Sequence, residues 1–158
     1  MNVIQWLSSV STGSFMTATN KICAIGFEDI LQFQRTTKEG HTGNLILINT
    51  LSLNEQEILI CKTISAKEEE HILNELLETY QTRRVQIVIY GRNSADITVF
   101  DKQEQIRKLG FTHVYVYLGG LFEWLLLQDI YGVDAFKTTN ICRDILKYSP
   151  AKSLNIPG

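Results

Sequence analysis

Four short apolar runs restrict this chain more than any other feature of it. They are LILIN (45–49), EILICKTI (57–64), VQIVIY (85–90) and HVYVYL (113–118). Each is rich in β-branched or aromatic residues and too short for a core helix. Near-continuous apolarity, rather than strict alternation, marks strands buried on both faces. Between the runs the period changes to that of a helix. Ser65 and Glu68 form an S-x-x-E capping box, and Ile72, Leu73, Leu76, Leu77 and Tyr80 follow as one apolar stripe. Asp96 or Thr98 can cap a second helix through Leu109, with Val99, Ile106 and Leu109 facing inward. Strands alternating with helices predict an α/β fold, a single three-layer domain with a mostly parallel sheet flanked by helices.

The flanks are less regular. ICAI (22–25) reads as a short strand, GFEDILQFQ (26–34) as a helix, and TTKEGHTGN (36–44) as a polar loop. A further short helix is expected near 140–147. Residues 1–20 read as an N-terminal arm, 21–148 as the domain and 149–158 as a C-terminal tail. The arm holds no acid and no Arg or Lys, so it has neither a secretory basic region nor the arginines of a transit peptide. Its Val3, Ile4, Trp6, Leu7, Phe15 and Met16 could dock on the domain or on a partner.

Composition narrows the function. The 158 residues are 44% hydrophobic and 20% charged with a net charge of −2, and no stretch is basic enough to follow a phosphate backbone, so nucleic acid is not an expected partner. The longest apolar run near the C-terminus, LFEWLLLQDIY, is too short to span a bilayer and contains Glu123 and Asp129. Cys23, Cys61 and Cys142 are odd in number and far apart, which fits free thiols in a reducing intracellular compartment, the cytoplasm ranked ahead of the mitochondrion. His41, His71 and His113 are scattered, so no metal site and no cofactor is expected.

The stretch from Val85 to Trp124 resembles a rhodanese-like domain. The strand IVIY delivers a short loop, and the helix after it ends in Leu109-Gly110-Phe111. HVYVYL follows, and then Gly119, Gly120 and Trp124 match the family's G-G-x-x-x-W. Upstream, LILIN takes the place of the family's strand ending Ile-Asp-Val-Arg, so the order of elements agrees from about residue 21 to 130.

The resemblance implies a persulfide carried on a cysteine that opens the loop, its thiolate held by loop N–H groups and a helix N-terminus. This chain has Gly91 there, followed by Arg92, Asn93, Ser94, Ala95 and Asp96. Asn49 stands for the family's aspartate and Leu51 for its arginine, while the G-H-I-x-G-A segment is missing. Ser94 cannot carry a persulfide. Gly91 lets a ligand approach the backbone closely, and the loop N–H groups with Arg92 form a candidate anion cradle. Asp96 opposes that use, because it can cap the helix and fill the cradle with its own carboxylate.

Leu121, Trp124, Leu125 and Gln128 form a core-facing stripe, whereas Phe122, Leu126 and Ile130 fall on another face. With the N-terminal arm, that second face favours an interaction role. The expected function is therefore a catalytically inactive rhodanese-like domain, a pseudoenzyme with no catalytic residue and a vestigial position at Gly91. It would serve as a protein-interaction or structural subunit of a larger assembly. Two alternatives stay open: a sulfurtransferase with a relocated cysteine, Cys61 or Cys142, and a small-anion module using residues 91–96.

Overall fold

Three of the four apolar runs are strands, and each sends alternate side chains to opposite faces. The computed structural model describes residues 23–36 and 44–154. Its sheet consists of β1 (Ala24–Ile25), β2 (Leu45–Asn49), β3 (Gln86–Tyr90) and β4 (His113–Tyr117) in the order β1-β4-β3-β2, all pairs parallel. The register sets Leu45 against Gln86 and Asn49 against Tyr90, then Gln86 against His113 and Tyr90 against Tyr117.

Pleat and register together sort the apolar residues into two cores. Leu47, Val88, Tyr90 and Tyr117 face one side, and Ile48, Ile87, Ile89, Val114 and Val116 the other. On the first side pack Ile30 from α1 (Phe27–Thr36) and Leu121, Trp124 and Leu125 from α4 (Gly120–Tyr131). On the second pack Leu73 from α2 (Ala66–Glu78) and Val99 and Ile106 from α3 (Thr98–Lys108). The three expected layers are present, with a wholly parallel sheet between two pairs of helices.

Local signals are met where helices begin. Ser65 Oγ accepts from Glu68 N at 3.3 Å, and Ser65 N donates to Glu68 Oε2 at 2.8 Å, closing the capping box of α2. Hydrogen bonding to its carboxylate from the Ser65 backbone N–H, and then from the Ser65 side chain, holds Glu68 below the usual carboxylate range. Trp124 is fully buried, edge-on to Tyr117 and Phe136, and its indole N–H donates to Lys137 O at 3.2 Å.

Three expectations are corrected. EILICKTI is not a strand. Ile60 and Thr63 make one isolated bridge each, to Thr138 and Leu47. Lys62 adopts a left-handed φ of 73°, and Thr63 N turns back to Ile60 O at 3.1 Å, which breaks the extension. The segment is apolar because Ile58 and Ile60 are buried, while its N–H groups go to Tyr90 Oη, Lys137 O and Thr139 Oγ1. Tyr80 leaves the apolar stripe of α2: the helix ends at Glu78, and Tyr80, with φ 56°, turns outward and is 92% exposed. Near the C-terminus the helix is only a 3-10 turn, Ile145–Tyr148, held by the burial of Tyr148. The N-terminal arm, 1–20, and His41 with the GHTG motif lie outside the described residues.

Candidate functional site

Neighbouring parallel strands whose connections leave toward opposite faces open a crevice at their carboxyl ends. Here β3 and β4 are those strands, since α3 lies on one face and α4 on the other. The loop 91–97 and the Gly119-Gly120 turn stand at that crevice.

The two loops are joined through their backbones. Leu121 N donates to Gly91 O and Phe122 N to Arg92 O, both at 2.9 Å, so the first turn of α4 spends its N–H groups on the loop. Gly120 has φ 64°, and a β-carbon there would lie 2.7 Å from Gly91 O and 2.9 Å from Asn93 N. Only glycine meets both the dihedral and the close approach.

Inside the loop, one carboxylate takes the central place. Asp96 Oδ2 accepts from Arg92 N at 2.9 Å, and its Oδ1 accepts from Thr98 N at 3.0 Å. Thr98 Oγ1 lies 2.6 Å from Asp96 Oδ1 and 2.8 Å from Thr50 Oγ1, tying β2 to the same cluster. A negative group at this point suits the amino end of α3. A β-carbon on Gly91 would run into the Asp96 carboxylate oxygen, with Asp96 Cγ at 2.8 Å and Val99 Cγ1 at 2.9 Å.

The other loop residues face away from the cradle. Arg92 pairs with Glu55 at 2.9 Å, and its guanidinium donates to the Lys147 carbonyl. Asn93 is buried; its Nδ2 donates to Tyr148 O at 2.8 Å and its Oδ1 accepts from Ala95 N at 3.0 Å. Ser94 and Ala95 are exposed. Lys147 in turn pairs with Glu57 at 3.2 Å, a contact that raises its pKa. The loop thereby clamps the C-terminal 3-10 turn. No local pattern announced Glu55, Lys147 or Tyr148 as its partners.

The nearest neighbours of the position where a Gly91 side chain would stand belong to Asp96 and Val99, not to any of the three thiols. All three are free and half-buried. Cys61 belongs to the bridged segment, where its carbonyl accepts from Gln34 Nε2 at 3.0 Å. Cys23 precedes β1. Cys142 lines an open cleft of about 620 Å³ with Glu57, Ile58, Arg143, Lys147 and Tyr148. Burial, more than any neighbouring charge, pushes its thiol pKa up. His71 and His113 are exposed, and among the described residues no group of His, Cys, Asp and Glu could hold a metal ion. No helix among them is long and apolar enough to cross a membrane.

No family model matches the sequence, and no curated protein does. Solved structures are similar at the level of fold. The Alr3790 protein from Anabaena is 17% identical and superposes with a TM-score of 0.50, over 74% of this chain and 92% of its own. The yeast protein Ygr203w, a protein tyrosine phosphatase of the rhodanese family, is 16% identical with a TM-score of 0.50, over 78% of this chain and 94% of its own. With the parallel sheet, its two helical layers and the switch-point loop, these likenesses give the chain a rhodanese-like fold.

Proposed function

We propose that this is a rhodanese-like domain without sulfurtransferase chemistry, a protein-interaction or structural subunit of a larger assembly. The observation that carries this reading is the Asp96 carboxylate, seated where the side chain of residue 91 would project. Persulfide chemistry needs a thiolate among loop N–H groups. Here the Arg92 and Thr98 N–H groups are spent on an internal carboxylate. Leu126 and Ile130, 40% and 69% exposed on the outer side of α4, support a role in contact with other proteins.

A thiosulfate sulfurtransferase assay tests the proposal. No turnover is expected, and clear turnover by the purified chain would overturn it. A relocated sulfurtransferase site at Cys142 is disfavoured by its burial-raised thiol, because the thiolate is the nucleophile. Mass spectrometry after thiosulfate treatment should find no sulfur adduct on Cys23, Cys61 or Cys142. The anion reading is disfavoured by the engagement of Arg92 with Glu55 and the Lys147 carbonyl. Titration with sulfate and phosphate is expected to give no saturable signal that Arg92→Ala abolishes. The mass of the native complex addresses the subunit role directly; a clean monomer in native extracts counts against it.

A further inference from the structure

The outer edge of β2 is covered along only part of its length. Gln86 N donates to Asn44 O and Thr50 N to Tyr90 O, so the even-numbered residues from 44 to 50 turn their backbone groups toward β3. Peptide groups alternate along a strand, and the odd-numbered residues turn theirs to the open side. There Leu47 O accepts from Ile64 N at 3.0 Å. Toward the amino end of β2 the cover stops. Lys62, at φ 73°, turns the covering segment away, and Cys61 N donates to Lys137 O instead. Leu45 thus points its N–H and C=O outward, with no hydrogen-bond partner there among the described residues.

A cavity of about 170 Å³ opens beside that edge, between β2 and α2. The half-buried residues Leu45, Ile46, Ile72 and Leu76 form its apolar wall. A space of about 150 Å³ holds a benzene-sized group, so this one takes a single apolar side chain. At the amino end of β2 the lining turns polar, with Asn44, Gln81 and Arg84. Arg84 is exposed and makes no ion pair among the described residues, and the same holds for its neighbour Arg83. One small cavity therefore gathers an unpaired strand edge, an apolar wall and an unneutralised cation.

We propose that this groove takes the carboxyl terminus of a protein partner whose last residue is apolar. The partner's backbone pairs with Leu45 on the open side of β2, its last side chain fills the cavity, and its terminal carboxylate meets the Arg84 guanidinium. Size selects this occupant. The three features line a single cavity of about 170 Å³, and a carboxyl-terminal residue is the unit that carries the three matching groups within so short a reach. The proposal rests on the interaction reading above and gives that interaction a place and a chemistry.

The test titrates the full isotope-labelled chain with short peptides ending in Val, Leu or Phe, with the same peptides as carboxyl-terminal amides, and with isovalerate. The free-acid peptides are expected to shift the amide signals of residues 45, 46, 72, 76 and 84 and to slow hydrogen exchange at Leu45 N–H. The amides should bind about tenfold more weakly. Arg84→Ala, a change to an exposed side chain that keeps the fold, should cost the free acids about tenfold and the amides nothing. Leu45→Pro is the second variant. Proline is tolerated at the first residue of an edge strand, and it removes the outward N–H, so both kinds of peptide should weaken alike. Equal binding of acids and amides, shifts that map to another face, or no binding of the free-acid peptides overturns the proposal. Isovalerate binding as tightly as the peptides would overturn the protein partner. None of these outcomes touches the absence of sulfur transfer or the native mass of the complex, so the broader reading stands or falls separately.

Discussion

Gly91 has no side chain, yet the space a side chain would need is taken by Asp96. The two positions therefore act as a pair. Gly91→Cys is expected to destabilise the chain by about 1–3 kcal/mol, since the new β-carbon meets the carboxylate and Val99. Asp96→Ala removes the acceptor for Arg92 N and Thr98 N and should cost about 1 kcal/mol. Gly91→Cys combined with Asp96→Ala should cost less than the sum, because the clash with the carboxylate is gone and only the contact with Val99 remains. Denaturant midpoints for the two single variants and the double variant give the coupling. Strict additivity would mean that the carboxylate does not exclude a side chain at 91. After thiosulfate treatment, only the double variant is expected to take up the mass of one sulfur, about 32 Da, at the new thiol. The opposition of Asp96 to an empty cradle could be read from the sequence, because a carboxylate six residues after a strand and two before a helix is a natural cap. The commitment of Arg92 could not be read there: its partners Glu55 and Lys147 lie 37 and 55 positions away, and no periodicity links them.

At the scale of elements, the helix α2 shows how far local signals reach. Its capping box is complete, so Ser65→Ala should cost about 1 kcal/mol, read from the thermal or denaturant midpoint. The loss should depend on pH. Glu68 has a folded pKa below its ordinary value, so its contribution is present above the unfolded pKa and fades as pH falls through the lower, folded one. Glu68→Gln should therefore lower stability at neutral pH and cease to matter in acid; an equal effect at every pH would contradict the box. The strands β2, β3 and β4 were legible for a similar reason, since doubly buried parallel strands need continuous apolar runs. The run 57–64 has the same composition and forms no strand. Its apolar side chains serve the core, while a left-handed Lys62 turns the backbone and sends its N–H groups to Tyr90, Lys137 and Thr139. Composition records burial, and it cannot tell burial beside a ladder from burial within one. Tyr80 shows the converse, an apolar residue in phase with its helix that the helix ends too early to use.

On the scale of the whole molecule, the crevice loop, the Leu53–Glu55 turn and the C-terminal 3-10 turn hold one another. Asn93 Nδ2 donates to Tyr148 O, the Arg92 guanidinium to Lys147 O, and Tyr148 Oη to Glu55 O at 3.4 Å. Tyr148 itself is fully buried in the core on the α1–α4 side of the sheet. The ring, rather than the polar contacts, should dominate: a buried aromatic truncated to alanine costs about 3–5 kcal/mol, whereas one long neutral hydrogen bond is worth about 0.5–1 kcal/mol. Tyr148→Phe should then be nearly silent and Tyr148→Ala severe. The distinctive expectation is where the damage spreads. With the Tyr148 ring gone, the backbone segment that Asn93 and Arg92 grip loses its anchor in the core, so hydrogen exchange should quicken at residues 91–98 as well as at 145–148. It should stay slow in β3 and β4, whose ladders are made independently. Exchange that quickens evenly across the sheet would mean that the C-terminal turn is an ordinary part of the core. Exchange confined to 145–148 would mean that the crevice loop holds its shape without it. Quickening at both segments alone would identify the C-terminal turn as the brace that keeps the crevice loop closed around its own carboxylate.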